Sequence, residues 1–566
     1  MKFSQMPYER PDAQALERLY AEETRRLAAA ASFAQANEAF LRVQEAAKHQ
    51  ETMDAIASIR HDVDTLDPFY SAEVENQAKT EPLLKKSKHA WNQALLASPF
   101  LKDFERAYGP VPFENLRMEF RAFSPEIVED LQEENRLRIA YTDLIASAQI
   151  AFAGGTYTIA QMGPFKQDRN DETRRAAWEA EGGWYAAHGE ELDAIYDDLV
   201  RVRTRMARKL GFENYIPLGY LRMQRNGYGR AEVEAFRAAV LRHLTPVAEE
   251  VCRRQAARIG AAYPLSFPDE ALFFRAGNAQ PIGKPEEILS MGRTFYHELS
   301  EETKAFIDVM LDGELMDVKA KKGKAGGGYC TSLPDYKVPF IFANFNGTQH
   351  DVEVIPHEAG HAFAAYTARD VVPFESQWPS LESCEIHSMS MEFFSWPWAE
   401  GFFGAQADRF RYKHLSDALT FIPYGCMVDH FQHVVYEKPE LGPEGRHEVW
   451  RQLLKQYMPW MRLDGTPFYG EGKGWQRQQH IYRTPFYYID YCLAQTVALQ
   501  FWVRMQQDRG DAWARYMDLM RLAGTQPFRA LVQAAGLEVP FVQSALAQVA
   551  SAARAYLDAF PKDALQ

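Results

Sequence analysis

The chain has 566 residues, 46% of them hydrophobic and 25% charged, which describes a globular protein too long for one hydrophobic core, so at least two lobes are expected. A net charge of −14, from 63 Lys and Arg against 77 Asp and Glu, argues against a nucleic-acid partner, and the lack of a signal-type apolar segment at Met1 to Tyr8, or of any long apolar run, predicts a cytoplasmic protein with no membrane association. Cys252, Cys330, Cys384, Cys426 and Cys492 are odd in number, scattered and never in a C-x-x-C pair, which fits a reducing compartment and excludes a disulfide framework or a zinc finger.

Residues 12 to about 107 read as long helices, because Leu16, Leu19, Tyr20, Leu27, Phe33, Phe40 and Leu41 recur mostly at steps compatible with one helical face. Core packing explains such stripes better than a cofactor box. Residues 113–124 break the rhythm and 125–147 resume it. The runs Ala148-Gln149-Ile150-Ala151-Phe152-Ala153 and Thr156-Tyr157-Thr158-Ile159-Ala160 predict a short hairpin turning at Gly154-Gly155, and a lobe boundary is placed after it, at 165. Helices then run from about 171 to 262, with breaks expected at Gly182-Gly183 and Pro217. The stretch from Pro264 to Pro285 is loop-rich, and helix follows to about 313.

Lys319, Lys321, Lys322 and Lys324 run into Gly326-Gly327-Gly328 without the order of a phosphate-binding loop, and are expected to form a solvated mobile loop. Two strands follow, Gly327 to Thr331 and Val338 to Asn344, with a turn at Pro334-Asp335; Pro339 confines the second to a sheet edge or a strand end. An edge strand beside a reactive centre would accept an extended peptide backbone.

Pro356-His357-Glu358-Ala359-Gly360-His361 opens a predicted helix, with Pro356 suited to its first turn. Residues four apart lie on one helical face, so His357 and His361 can direct two imidazoles at one point, as zinc requires. Glu358 sits about 100° round from His357, where its carboxylate reaches an activated water without taking a metal position. Catalytic zinc needs a third protein ligand. The metzincin continuation is excluded, since Ala364 and Thr367 stand at its Gly and His positions, and the commonest glutamate spacing falls on Ser380. A second predicted helix from Leu381 to Glu392 offers Glu382, Glu385, His387 and Glu392, among which spacing alone does not choose.

Helix resumes after Phe393. Tyr469-Gly470-Glu471-Gly472-Lys473-Gly474 is expected to be a mobile loop, since no strand-to-helix unit accompanies its glycines. The run from Gln479 to Tyr491 is dense in His and Tyr, and by itself is as compatible with aromatic packing as with catalysis. Residues 511–560 are helical again, with breaks at Gly536 and Pro540.

The segment His357 to Phe363, followed by Glu385-Ile386-His387-Ser388-Met389-Ser390-Met391-Glu392, resembles the thimet-oligopeptidase-like M3 metallopeptidases, and within them the bacterial oligoendopeptidase F branch. The resemblance is sharpest over about 325–495. It implies that Glu385 is the third ligand of one Zn2+ per chain, with His357 and His361, and that Glu392 orients a ligand imidazole. It implies Glu358 as general base, and His480 with Tyr491 or Tyr488 as groups that hold substrate and the reaction oxyanion. The fold it implies is mainly α and two-lobed, with a small β-sheet next to the HExxH helix and a deep substrate channel. The expected division is an N-terminal helical lobe, 1–165, and a catalytic zinc peptidase region, 166–566. The expected activity is endopeptidase hydrolysis of short unfolded peptides. The alternatives are a peptidyl-dipeptidase of the same family and a non-enzymatic peptide-binding protein.

Overall fold

The computed structural model of the chain describes residues 1–345, 349–561 and 565. It is mainly helical. The named strands are β1 (Ile150–Phe152), β2 (Gly155–Tyr157), β3 (Met316–Lys319), β4 (Tyr329–Leu333) and β5 (Val338–Phe345). By internal contact the chain divides into two compact units. One comprises Met1–Arg117, Pro281–Phe402 and Arg504–Leu537; the other comprises Met118–Gln280, Phe403–Val503 and Glu538–Gln566. The expected single cut at 165 follows a local break in rhythm, whereas each compact unit is assembled from three separate stretches of chain.

In the first unit, helices Ala13–Ala29, Phe33–Val63 and Pro68–Leu96 start where the sequence supplies caps. Asp12 accepts from the amide of Ala15, Ser32 from that of Gln35, and Asp67 from those of Phe69 and Tyr70. Their apolar faces close on Tyr20, Leu27, Phe40, Val43, Trp91 and Leu95. Leu41 departs from the expected stripe and is exposed, because one residue past Phe40 the helix has turned about 100° away from the core. The expected break at 113–124 is also not observed over most of its length: Val111–Arg121 is a helix that sends Phe113 into this core.

The sheet of this unit has the order β3-β5-β4, with β3 parallel and β4 antiparallel to β5. Strand β3 gave no sequence signal, being four residues long and half-exposed. Pro339 lies near the start of the central strand β5, opposite Ser332, whereas β3 pairs with β5 only from Ile341 onward. Its missing N–H therefore falls at an end where β3 does not reach. The edge strands are β3 and β4.

The lysine loop is tied down. The Lys324 side chain is enclosed; its ammonium donates to Asp317 Oδ1 at 2.6 Å and to the carbonyls of Asp317, Lys319 and Ala343 at 3.0, 2.9 and 2.6 Å, and stands 4.6 Å from the centre of the Phe342 ring. A lysine with that many acceptors works as a staple, and its surroundings could not be read from a local charge cluster.

In the second unit, β1 and β2 form the expected hairpin, but the turn is Ala153-Gly154, both at positive φ, one residue earlier than predicted. Helix Asp171–Ala187 runs straight through Gly182-Gly183. A Cβ on Gly182 would stand 2.3 Å from the Pro467 carbonyl oxygen, so this glycine serves a close approach rather than a break. Pro217 sits in the first turn of helix Tyr215–Arg222, where a missing N–H costs nothing. The glycine-rich stretch after Tyr469 is packed: Tyr469 is buried and donates to Glu181 at 2.5 Å. Among the described residues, no helix is long and apolar enough to cross a membrane.

Candidate active site

The motif helix spans Gln349–Thr367, so Pro356 lies inside it rather than in its first turn. Proline there leaves the Val352 carbonyl without its usual partner four residues on. Burial of Ile355, Ala359, Ala362 and Phe363 on the core side of the same helix offsets that loss. The second helix, Leu381–Phe394, crosses it closely at Gly360: a Cβ at this position would stand 2.7 Å from Ser388 Cα and 2.9 Å from the His387 carbonyl oxygen. The Tyr516 hydroxyl, from a helix far along the chain, donates to that same carbonyl at 2.8 Å and pins the crossing.

The crossing aims three donors at one point. His357 Nε2 and His361 Nε2 each lie 3.6 Å from Glu385 Oε2, and the three donor atoms lie within 4.8 Å of one another. Metal–ligand bonds of about 2.0–2.2 Å at tetrahedral angles separate donors by roughly 3.4 Å, so two imidazoles and a carboxylate at this spacing fit zinc. Glu392, two turns beyond Glu385, accepts at 2.7 Å from His357 Nδ1, which turns Nε2 of that ring toward the shared point. Glu382 and His387 are not part of the group. His387 is buried with neither ring nitrogen hydrogen-bonded, and burial pushes its pKa down to about 3, so it is a neutral ring in the helix interface.

The electrostatics separate the two histidines. Burial works to lower the pKa of His357, but Glu392, then Glu385 and Glu358, outweigh it and hold the group at about 9. His361 is neutral: burial first, then its neighbours His357 and His387, push it well below the usual histidine range. Glu358, the residue after His357, is part-buried; burial first, and then the Glu358 charge, push the thiol of Cys330 in β4 well above the usual range.

The second unit carries the other predicted residues. His480 lies in the short helix Gln479–Arg483, and Tyr488 and Tyr491 in the first turns of Tyr488–Gln507. Ring centres of Tyr487, Tyr488 and Tyr491 lie 5.5, 5.0 and 5.7 Å from that of His480, and all four residues are part-buried. Burial, with Arg483 alongside, lowers the His480 pKa to about 4. Two residues escaped the sequence reading. Gln478 donates from Nε2 to His480 Nδ1 at 2.8 Å, and Tyr424, on a separate helix, donates to Gln478 Oε1 at 2.9 Å. Neither carries a signal in periodicity or motif.

Comparison with known proteins gives concordant results. A family model described as the Peptidase M3 N-terminal domain matches residues 3–123, and one described as Peptidase family M3 matches residues 296–551. An X-ray structure named for oligoendopeptidase F is 46% identical, with a TM-score of 0.93 and all of both chains covered. A crystal structure named for the oligoendopeptidase F of Bacillus anthracis is 42% identical, with a TM-score of 0.88 over 100% of this chain and 99% of that one. The oligoendopeptidase F homolog of Borreliella burgdorferi is 23% identical over 239 residues, a match covering 40% of this chain and only 39% of that protein's length.

Proposed function

Because the chain belongs to peptidase family M3, in its oligoendopeptidase F branch, we propose that it is a zinc-dependent endopeptidase that hydrolyses internal bonds of short unfolded peptides. The observation that carries this reading is the convergence of His357 Nε2, His361 Nε2 and a Glu385 carboxylate oxygen, with Glu358 one residue along the helix from the first of them. In this reading His357, His361 and Glu385 hold one Zn2+ per chain. When bound, that ion supplies a Lewis acid able to acidify water and polarise the scissile carbonyl.

The chain's own groups do the rest. Glu392 keeps the His357 ring oriented through Nδ1. Glu358 takes a proton from the attacking water as its oxygen bonds to the carbonyl carbon, and returns that proton to the amide nitrogen as the C–N bond breaks, leaving a carboxylic acid and an amine. His480, with Tyr488 and Tyr491, donates hydrogen bonds to the oxyanion, a role in which one lost donor commonly costs ~2.7–4 kcal/mol. The outer edge of β4, whose Cys330 neighbours Glu358, suits an extended substrate backbone laid down as a further strand.

The test is hydrolysis of an internally quenched peptide of roughly ten residues by the purified protein, before and after chelation and after zinc is restored. Internal cleavage that disappears with chelator and returns with zinc is expected. Product masses showing only C-terminal dipeptides would replace the reading with a peptidyl-dipeptidase, and bound zinc with no cleavage of a varied peptide set would replace it with a peptide-binding protein.

A further inference from the structure

We propose that Gln478 is a positioning residue that holds His480 as the tautomer with its proton on Nε2, so that this ring donates toward the peptide rather than accepting; the inference rests on the oxyanion role of His480 proposed above. A guanidinium carries N–H donors and no acceptor, so the Arg477 charge near the Tyr424 phenol turns that phenol's hydrogen away from itself. The phenol's own hydrogen is then directed to Gln478 Oε1, 2.9 Å away. With its oxygen committed on that side, the carboxamide presents its NH2 on the other, 2.8 Å from His480 Nδ1. An amide NH2 only donates, so Nδ1 accepts and the ring proton resides on Nε2.

The polarity of the chain is thus set at the Tyr424 end, where the phenol donates to Gln478 Oε1. Three tyrosine rings, Tyr487, Tyr488 and Tyr491, pack around the imidazole and oppose a flip. Among the described residues, His480 Nε2 has no hydrogen-bond partner, which leaves that N–H for a ligand. The low pKa of this histidine, set by burial and by Arg483, keeps the ring neutral at pH 7, and a neutral imidazole has only one donor. Which nitrogen carries the proton therefore decides whether the ring can stabilise an oxyanion at all.

The experiment uses the full chain labelled with 15N-histidine, the His480 resonances being identified by their loss in His480→Gln. In the parent, an acceptor-type Nδ1 and a protonated Nε2 are expected. In Gln478→Glu the new carboxylate accepts from the ring, so at neutral pH the single ring proton moves to Nδ1, and an imidazolium of raised pKa forms only as pH falls. At neutral pH kcat should then fall roughly 10²-fold with KM little changed, in line with loss of an oxyanion donor. Because the imidazolium again donates from Nε2, the variant should recover activity as pH falls below the raised His480 pKa, a trend a merely structural defect would not produce. Tyr424→Phe, which removes the directional link while keeping the ring, should give mixed tautomers and a loss of about tenfold. A parent spectrum with the proton on Nδ1, or a Gln478→Glu protein whose tautomer and pH profile match the parent, overturns the proposal. If Gln478→Glu does not fold, the Tyr424→Phe spectrum decides. If the parent cleaves no peptide, the functional reading fails on its own, and the spectra still report the tautomer.

Discussion

At the level of single residues, Glu358 and Glu392 are proposed to have different duties, and substitution should separate them. Glu358→Gln keeps the side-chain shape and all three proposed ligands, so bound zinc should stay at parental stoichiometry while kcat drops on the order of 10²–10⁴-fold, as metal analysis and peptide hydrolysis would show. A metal-loaded Glu358→Gln protein with parental turnover would remove this residue from the reaction. Glu392→Ala leaves the three donors in place but frees the ring that Glu392 holds at 2.7 Å, and zinc affinity should weaken about 10–100-fold in a competition titration with a chelator. Glu358 was legible in the motif because its place follows from helix geometry alone. The pairing of Glu392 with His357 was implied only by resemblance, since its 35-residue separation lies outside any local pattern.

Among the elements, the decisive contact is the crossing of the motif helix with Leu381–Phe394. A methyl on Gly360 would collide with backbone, not with a side chain that could swing aside. Gly360→Ala should therefore push the helices apart, lowering stability by about 1–3 kcal/mol and loosening the Glu385 contact with both histidines. The expected outcome is a lower melting temperature together with weaker zinc binding; a lower melting temperature with parental zinc affinity would mean that the site does not depend on this crossing. Both helices were predicted, the first from its motif, yet the start of the first was misplaced at Pro356. Proline is usual in a first turn, and only the tertiary packing of Ile355, Ala359 and Phe363 shows why it is tolerated one turn deeper. Likewise, the lysine loop looked mobile because a run of like charge reads as solvated, whereas Lys324 is enclosed by backbone carbonyls brought in from β5 and from β3.

For the molecule as a whole, buried ion pairs in the second unit should govern the acid limit of stability. Burial alone would raise the pKa of Glu134, but Arg203 and Arg222, which donate to it at 2.7 and 2.8 Å, bring it down to about 2. A carboxylate depressed from about 4.3 contributes its stability above that pH and loses it as pH falls toward 2, a contribution on the order of 3 kcal/mol. The melting temperature of the parent should accordingly fall more steeply between pH 4.5 and 2 than that of Glu134→Gln, which starts lower at pH 7 because two guanidinium groups have lost their partner. Zinc should act in the opposite direction: an ion bound only by the folded chain at 100 times its Kd adds about 2.7 kcal/mol, seen as a rise in melting temperature that chelation reverses. The amino-acid sequence by itself determined the helical class, the spacing of His357, Glu358 and His361 and hence the chemistry they can perform, because an i, i+4 relation is built into the geometry of one helix. Spacing left Glu382, Glu385 and His387 open and the family resemblance pointed to Glu385, which the tertiary structure brings to the histidine pair; only the tertiary structure decided that β5 lies between β3 and β4, that each compact unit is assembled from separated segments, and that Tyr424 reaches His480 through Gln478. Those outcomes depend on how distant elements cross, and hydrophobic periodicity records which face of an element is buried without recording what it is buried against.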